Sequence, residues 1–216
     1  MKDYYLFDLD GTLTNSGEGI LRSVEYALNE LGAPVPDRAS LRPFIGPPLI
    51  DSFQLICGLS PEMAERAVEK YRERYSEVGL FENMVYDGMH DVLRALNNAG
   101  KHCFMATSKP EVYSRRIAER FGLTPLLEEI CGSTLDGRIN SKESVVRLAL
   151  ERAGHPDPAR VHMIGDRRHD VEGSRACGID CTYVLFGFGS REEAEECGAA
   201  YIIETPQQLT DHLLSL

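Results

Sequence analysis

The sequence predicts an α/β protein in which a doubly wound parallel sheet is interrupted by an inserted helical domain. From residue 85 onward, short apolar runs alternate with stretches of helical periodicity, which is typical of a parallel sheet covered by helices on both faces. Roughly seventy residues without a convincing strand separate the first apolar run from this region, far too many for a loop. The alternation therefore predicts the core, and the long interruption predicts the insertion.

Four apolar runs are the expected buried strands, and a fifth run at 200–203 is a further candidate. The four runs are residues 4–7, 103–106, 161–164 and 181–186. Between the later runs, apolar residues recur at the spacing of a helix, and a glycine follows three of these stretches, at positions 100, 122 and 154. These glycines predict where the helices end.

The insertion contains two predicted helices. The first has apolar residues from Ile20 to Leu31 at helical spacing and is followed by Gly32, and the second begins at Ser60-Pro61. Residues 42–48 read Arg-Pro-Phe-Ile-Gly-Pro-Pro and are expected to be rigid and non-helical. We therefore predict a core domain of residues 1–14 and 85–216 and a helical domain of residues 15–84. The flexible joints are expected near residues 15–17 and 82–87.

The composition excludes two classes of macromolecular partner. The chain of 216 residues has 23 Lys and Arg against 34 Asp and Glu, which gives a formal net charge of −11. A surface this acidic repels nucleic acid and anionic membranes, so neither is an expected partner. Any bound anion must be held by local positive charges.

The cysteines and the hydropathy indicate the compartment. The six cysteines form no Cys-x-x-Cys pair and are expected to be buried, reduced thiols. No basic and apolar leader precedes Tyr4, and no apolar run approaches the roughly 18 residues of a membrane span. We therefore expect a cytoplasmic protein.

Polar residues cluster where the predicted strands end, and ligands of open parallel sheets bind at that edge. The polar stretches are Asp8-Leu9-Asp10-Gly11-Thr12, Thr107-Ser108-Lys109, the helix start Asn140-Ser141-Lys142, and Gly165-Asp166-Arg167-Arg168-His169-Asp170. Carboxylates as close in sequence as Asp8 and Asp10 repel each other unless positive charge lies between them. Carboxylates, hydroxyls and an amine together are the groups needed for metal-assisted phosphoryl transfer.

These stretches resemble, in order, the four motifs of the haloacid dehalogenase superfamily. The resemblance spans nearly the whole chain, and an insertion after the first motif is similar to the subclass with a helical cap. It implies a Rossmann-like α/β core with an α-helical cap domain. Residues 45–49, 107–110 and 132–137 are similar to the corresponding stretches of phosphoglycolate phosphatase-like proteins, some of whose relatives are described as 5′-nucleotidases.

The resemblance implies roles for the acidic residues. Asp8 corresponds to the family nucleophile, which forms an aspartyl phosphate, and Asp10 to the acid and base that serves the leaving alcohol and then the water. Gly11 permits the turn that brings Asp10 to the leaving-group side. Mg²⁺ is the expected cofactor, bound by Asp8, the backbone carbonyl of Asp10, and Asp166. Asp170 is expected to hold metal-bound water or to orient Asp166.

The remaining site residues are expected to bind the phosphate or the substrate. Thr107 and the backbone at Ser108 would donate hydrogen bonds to phosphate oxygens, and Lys142 would neutralise charge on Asp8 and the phosphate. Arg42 is a candidate for binding a substrate carboxylate, although it also suits a surface ion pair. Lys109 is a candidate substrate contact that also suits an exposed position.

The expected function is hydrolysis of small phosphomonoesters, with phosphoglycolate-like compounds first, by a monomer or homodimer. A 5′-nucleotidase and a pyrophosphatase of the same family are alternatives. A mutase of the β-phosphoglucomutase type shares the motifs, but it would have to return the phosphoryl group to a sugar. A non-enzymatic signalling module that accepts phosphate on an aspartate is the alternative from another class. The sequence alone determines neither the natural substrate nor the oligomeric state.

Overall fold

The computed structural model describes residues 1–216, and its main feature is a parallel sheet of six strands. The strands in chain order are β1 (Tyr4–Phe7), β2 (Thr14–Asn15), β3 (Met84–Val85), β4 (His102–Pro110), β5 (Glu129–Ser133), β6 (Val161–Gly165), β7 (Asp180–Val184) and β8 (Tyr201–Ile203). The main sheet has the order β5-β4-β1-β6-β7-β8, and all its neighbouring strands are parallel. Strands β2 and β3 form a separate two-stranded sheet.

Nine α-helices accompany the strands. They are α1 (Gly17–Glu30), α2 (Leu49–Leu55), α3 (Pro61–Glu77), α4 (Met89–Asn98), α5 (Glu111–Arg120), α6 (Lys142–Arg152), α7 (Arg168–Arg175), α8 (Arg191–Glu196) and α9 (Pro206–Ser215). The predicted glycine stops after α1, α4, α5 and α6 all have positive φ values, between 64° and 79°. L-residues rarely adopt this backbone conformation, so the glycines allow the chain to leave each helix.

Helices cover both faces of the main sheet. Leu6 packs in one cluster with apolar residues of α6, α7 and α8. On the other face, the hydroxyl of Tyr5 donates to the carbonyl of Leu213 in α9, at 2.6 Å. Because successive residues of a strand point to opposite faces, these two contacts place helices on both sides of β1. The predicted doubly wound α/β fold is confirmed.

The chain divides into two compact units, residues 1–15 with 85–216 and residues 16–84. The second unit contains α1, α2 and α3. Inside it, the rings of Phe44 and Phe53 pack edge to face at 4.9 Å. Ser60 caps α3 by accepting a hydrogen bond from the backbone of Met63, as its position before Pro61 predicts. None of the nine helices combines the length and hydrophobicity needed to cross a membrane.

The structure differs from the sequence-based expectations in several elements. Residues 42–44 form one 3-10 turn, which tolerates a proline near its start. Residues 45–48 are non-helical as expected, and α2 begins at Leu49. Strand β5 was not expected, since its sequence Glu-Ile-Cys-Gly-Ser has few apolar residues. The strand predicted over residues 181–186 spans Asp180–Val184 in the structure, and residues 185–186 form a turn.

Candidate active site

The acidic residues of the candidate site lie at the carboxyl ends of adjacent strands. Asp8 follows β1 and Asp166 follows β6, and the backbone N–H of Asp8 donates to the carbonyl of Ile164 at 2.9 Å. The parallel register pairs Phe7 with both Met105 in β4 and Ile164 in β6. Neighbouring parallel strands thus end together, and their polar residues meet although they are far apart in sequence.

Lys142 is the positive centre of this group. It begins α6, where Ser141 forms a capping box with Ser144, and its side chain is almost fully buried. Its ammonium nitrogen lies 2.8 Å from Asp8 Oδ1 and 2.8 Å from Asp170 Oδ1, and it donates to the carbonyl of Ala106 at 3.1 Å. The ammonium therefore has two carboxylate oxygens and one carbonyl oxygen within 3.1 Å.

The protonation of Lys142 follows from these contacts. Burial alone lowers the pKa of a lysine, but the charges of Asp170 and Asp8 outweigh it and raise the pKa of Lys142 above its ordinary value. Lys142 is therefore a fixed positive charge beside Asp8.

Asp166 is completely buried. Its Oδ2 accepts a hydrogen bond from the backbone N–H of Phe188 at 2.7 Å, and its Oδ1 lies 3.4 Å from the hydroxyl of Thr12. Burial, followed by the charges of Asp170 and Asp8, raises the pKa of Asp166 well above its ordinary value. This carboxylate is costly to ionise unless a further positive charge is present.

Asp170 is held by the backbone of its own motif. Its Oδ2 accepts hydrogen bonds from the N–H groups of Asp166 and Arg167, at 3.1 Å and 3.0 Å. Its Oδ1 contacts Lys142, as described above. Burial raises the pKa of Asp170, the charge of Lys142 opposes that rise, and the charge of Asp8 adds to it.

Three of these carboxylates fit a metal ion. Asp8, Asp166 and Asp170 each place an oxygen within 4.8 Å of the others, and all three are buried. Lys142 is the cation that contacts two of them, so the cluster retains excess negative charge. Hard carboxylate oxygens around a buried negative centre are the donor set that divalent cations prefer. The side chain that joins Asp8 and Asp166 in this cluster is Asp170, whereas the motif resemblance implies the backbone carbonyl of Asp10 as the third ligand.

The second polar stretch lies at the end of β4. Thr107 is buried, and its hydroxyl accepts a hydrogen bond from the backbone N–H of Lys109 at 3.2 Å. The register between β4 and β5 shifts between Thr107 and Pro110, so the backbone is irregular at this point. Ser108 is exposed. Lys109 is buried, unlike an ordinary surface lysine, and its Nζ lies 2.8 Å from Asp10 Oδ2.

Arg42 belongs to the other unit. It is exposed and begins the 3-10 turn at residues 42–44. A substrate contact by Arg42 stays a prediction.

Several residues beside the acids lie outside the four sequence motifs. The backbone of Phe188 contacts Asp166, and the charges of Asp166 and Asp10 add to burial in raising the pKa of Tyr86. The Tyr86 ring packs edge to face on Phe186 at 5.3 Å. A Gly-x-Gly pattern directly after an apolar run, at Gly187 and Gly189, was the available signal for this loop, although it does not identify the N–H that donates to Asp166.

Glycines also determine how closely the site can pack. A Cβ at Gly173 would lie 2.7 Å from Cγ of Lys142, so glycine lets α7 approach α6. Gly11 has φ +85°, and a Cβ there would overlap the Asp166 carboxylate. Gly11 is thus required by both its backbone conformation and the available space.

The sequence match decides the family. The model of the haloacid dehalogenase-like hydrolase family matches residues 5–184, which include every acidic residue of the site. The chain belongs to this family.

Three curated proteins show which enzymes this chain is similar to. A 5′-nucleotidase from Pseudomonas aeruginosa is 46% identical over 190 residues, covering 87% of this chain and 85% of that protein. Tyrosine-protein kinase PtkA from Mycobacterium tuberculosis is 43% identical over 184 residues, covering 85% of this chain and 62% of PtkA. A phosphoglycolate phosphatase from Pseudomonas savastanoi is 26% identical over 218 residues, covering 98% of this chain and 79% of that protein.

The solved structures agree as well. The crystal structure of a predicted phosphatase from Clostridium acetobutylicum has a TM-score of 0.94 and 42% identity, and the match covers 100% of both chains. This haloacid dehalogenase-like protein is therefore an enzyme of the phosphatase type, and the resemblance found in its motifs is confirmed.

Proposed function

We propose that the protein is a Mg²⁺-dependent phosphatase that hydrolyses small phosphomonoesters through an aspartyl phosphate on Asp8. The observation that carries the proposal is the position of Asp8, 2.8 Å from the ammonium of Lys142 and clustered with Asp166 and Asp170. The ammonium of Lys142 is positioned to offset negative charge on this carboxylate and on a phosphoryl group that it attacks.

In the first half of the reaction, an oxygen of Asp8 attacks phosphorus and the bond from phosphorus to the leaving oxygen breaks. Asp10 donates a proton to the departing alkoxide, which leaves as the alcohol. Lys142 stabilises negative charge on Asp8 and the phosphoryl group, and Thr107 with the Ser108 backbone N–H binds phosphate oxygens.

In the second half, water attacks the same phosphorus and gives a proton to Asp10. The Asp8–phosphorus bond breaks, inorganic phosphate is released, and Asp8 is regenerated. Asp8, Asp166 and the backbone carbonyl of Asp10 would hold Mg²⁺, and Asp170, the third carboxylate of the cluster, would hold water bound to the ion. The ion would offset the negative charge of the carboxylates and the phosphate. Asp170 holds Lys142 through an ion pair and the Asp166 backbone through a hydrogen bond.

Nucleoside monophosphates are the substrate class that we propose first. The 46% identical relative is named a 5′-nucleotidase, whereas the phosphoglycolate phosphatase is only 26% identical. Phosphoglycolate-like compounds rank second, and pyrophosphate follows.

The decisive experiment compares wild type with Asp8→Asn on a panel of nucleoside monophosphates, phosphoglycolate, sugar phosphates and pyrophosphate, with and without Mg²⁺. We expect Mg²⁺-dependent release of inorganic phosphate, ranked by kcat/KM, from wild type alone. Retained turnover in Asp8→Asn would refute the nucleophile.

The kinase-named relative favours one alternative, transfer of the phosphoryl group to a protein hydroxyl instead of water. Incubation with γ-³²P-ATP distinguishes the two acceptors. Label that accumulates on tyrosine would support the kinase, whereas an unlabelled protein that releases phosphate from nucleoside monophosphates would support the phosphatase.

A further inference from the structure

A short loop after β7, residues 185–190, contacts the buried carboxylate of Asp166. We call it the glycine loop, because it reads Leu-Phe-Gly-Phe-Gly-Ser. The backbone N–H of Phe188 donates to Asp166 Oδ2 at 2.7 Å. An N–H that donates to a carboxylate forms a charge-assisted bond, which is stronger and more orienting than a neutral one.

Both glycines of this loop are required by space. Neither Gly187 nor Gly189 has a positive φ, so their backbone conformations are open to other residues. A Cβ at Gly187, however, would lie 2.5 Å from Asp166 Oδ2 and would overlap the carbonyl oxygen of Gly11. A Cβ at Gly189 would overlap the hydroxyl of Tyr183 and the carbonyl oxygen of Asp166.

The same carboxylate is enclosed from the first motif. The hydroxyl of Thr12 approaches Asp166 Oδ1 at 3.4 Å, and a Cβ at Gly11 would overlap the carboxylate. Asp166 therefore lies between two loops that come from opposite ends of the domain sequence, and the absence of side chains at Gly11 and Gly187 allows both loops to reach it.

We propose that the glycine loop is a positioning element for the metal site, in which the Phe188 amide and the small size of Gly187 hold Asp166 in the orientation that binds the cation. This inference rests on the proposed function, since it requires Mg²⁺ at Asp166. Hydrogen-bond partners of metal ligands fix the ligand orientation, and their removal costs about 10–100-fold in metal affinity. The loop supplies such a partner from the main chain, so no side-chain motif reveals it.

The test is calorimetric titration of Mg²⁺ into substrate-free protein. Gly187→Ala inserts a methyl group against Asp166, and Phe188→Pro removes the donor N–H. Both variants are expected to bind Mg²⁺ about 10–100-fold more weakly than wild type. Phe188→Ala removes the ring and keeps the N–H, so its affinity is expected to lie closer to wild type than that of Phe188→Pro.

A second readout separates positioning from a general loss of structure. If the loop positions Asp166, saturating Mg²⁺ restores most of the kcat of Gly187→Ala, and circular dichroism shows an unchanged fold. If Gly187→Ala does not fold, the comparison of Phe188→Pro with Phe188→Ala decides.

Wild-type Mg²⁺ affinity in the folded variants would overturn the inference while leaving the proposed function intact. Equal losses in Phe188→Pro and Phe188→Ala would also overturn it, because the ring and not the amide would then be responsible. A wild-type protein that binds no Mg²⁺ would instead contradict the proposed function itself, and the inference with it.

Discussion

The ammonium nitrogen of Lys109 lies 2.8 Å from Oδ2 of Asp10, and the side chain of Lys109 is only 6% exposed. This ion pair joins the end of β4 to the turn that follows β1. A lysine predicted as a substrate contact is thus bonded to the residue proposed as acid and base. The pair limits the orientations that the Asp10 carboxylate can adopt.

Replacing Lys109 by Met is therefore expected to impair proton transfer to the leaving group. General acid–base catalysis contributes about 10²–10⁴-fold, and part of this contribution is lost when the acid is misplaced. We expect kcat to fall more for alkyl phosphates than for p-nitrophenyl phosphate, because nitrophenolate leaves without needing a full proton. Steady-state kinetics on both substrates measures the difference.

Lys70→Met is the matched control, since Lys70 forms an exposed ion pair with Glu73. If Lys109→Met lowers kcat equally for alkyl phosphates and for p-nitrophenyl phosphate, Lys109 does not position Asp10 for proton transfer.

Replacing Lys142 by Met is expected to destabilise the metal-free protein. The change leaves Asp8 and Asp170 as buried carboxylates without their shared cation, and breaking a buried pair in this way costs about 3–5 kcal/mol. Urea denaturation in EDTA measures the free energy of unfolding. The double variant Lys142→Met with Asp170→Asn should lose less free energy of unfolding than the two single variants lose together, because the two residues share one interaction. Additive losses would show that the residues act independently.

Divalent metal is expected to stabilise the protein more strongly as pH rises. Burial raises the pKa of both Asp166 and Asp170, so protons compete with the cation at acidic pH. In the metal-free protein, a raised carboxyl pKa means that the folded state binds protons more tightly than the unfolded state. Stability therefore falls as pH rises from the ordinary carboxyl range through the raised pKa.

Thermal unfolding with excess Mg²⁺ or excess EDTA, across acidic to neutral pH, measures this effect. The gap in Tm between the two conditions should widen with pH. A gap that is constant or narrows would contradict metal binding by these carboxylates.

The buried His162 is expected to make the folded protein less stable as the pH falls. Burial, with smaller effects from Lys2 and His212, lowers the pKa of His162 to about 3, and its Nδ1 is buried without a hydrogen-bond partner. The unfolded chain takes up this proton near the ordinary histidine pKa, whereas the folded protein does not. The free energy of unfolding should therefore decrease as pH falls below about 6.5, by at most about 1.4 kcal/mol per pH unit from this residue.

His162→Gln removes this titration, so its stability should depend less steeply on pH than that of wild type when both are measured by urea denaturation. Identical slopes would show that His162 is not responsible. His169→Gln is the control, because His169 is exposed.

The amino-acid sequence was sufficient to predict the fold class and the acids of the candidate site. Alternating strand and helix periodicity predicted the parallel sheet, and Asp8 and Asp166 were identified because each directly follows a buried strand. In a parallel sheet all strands end at one edge, so local patterns along the chain suffice to bring such residues together. The glycines that end the helices were also predictable, because the end of a helix depends mainly on the residues next to it.

Most side-chain pairings at the candidate site became visible only in the three-dimensional structure. The contacts of Lys109 with Asp10, of Lys142 with Asp170, and of Phe188 with Asp166 join positions far apart in the chain, whereas the proximity of Lys142 to Asp8 was already expected from the motifs. The Phe188 contact is made by a backbone N–H, which every residue except proline carries, so no residue type marks it. Such pairings depend on how strands and loops pack in space, and periodicity along a single chain carries no information about that packing.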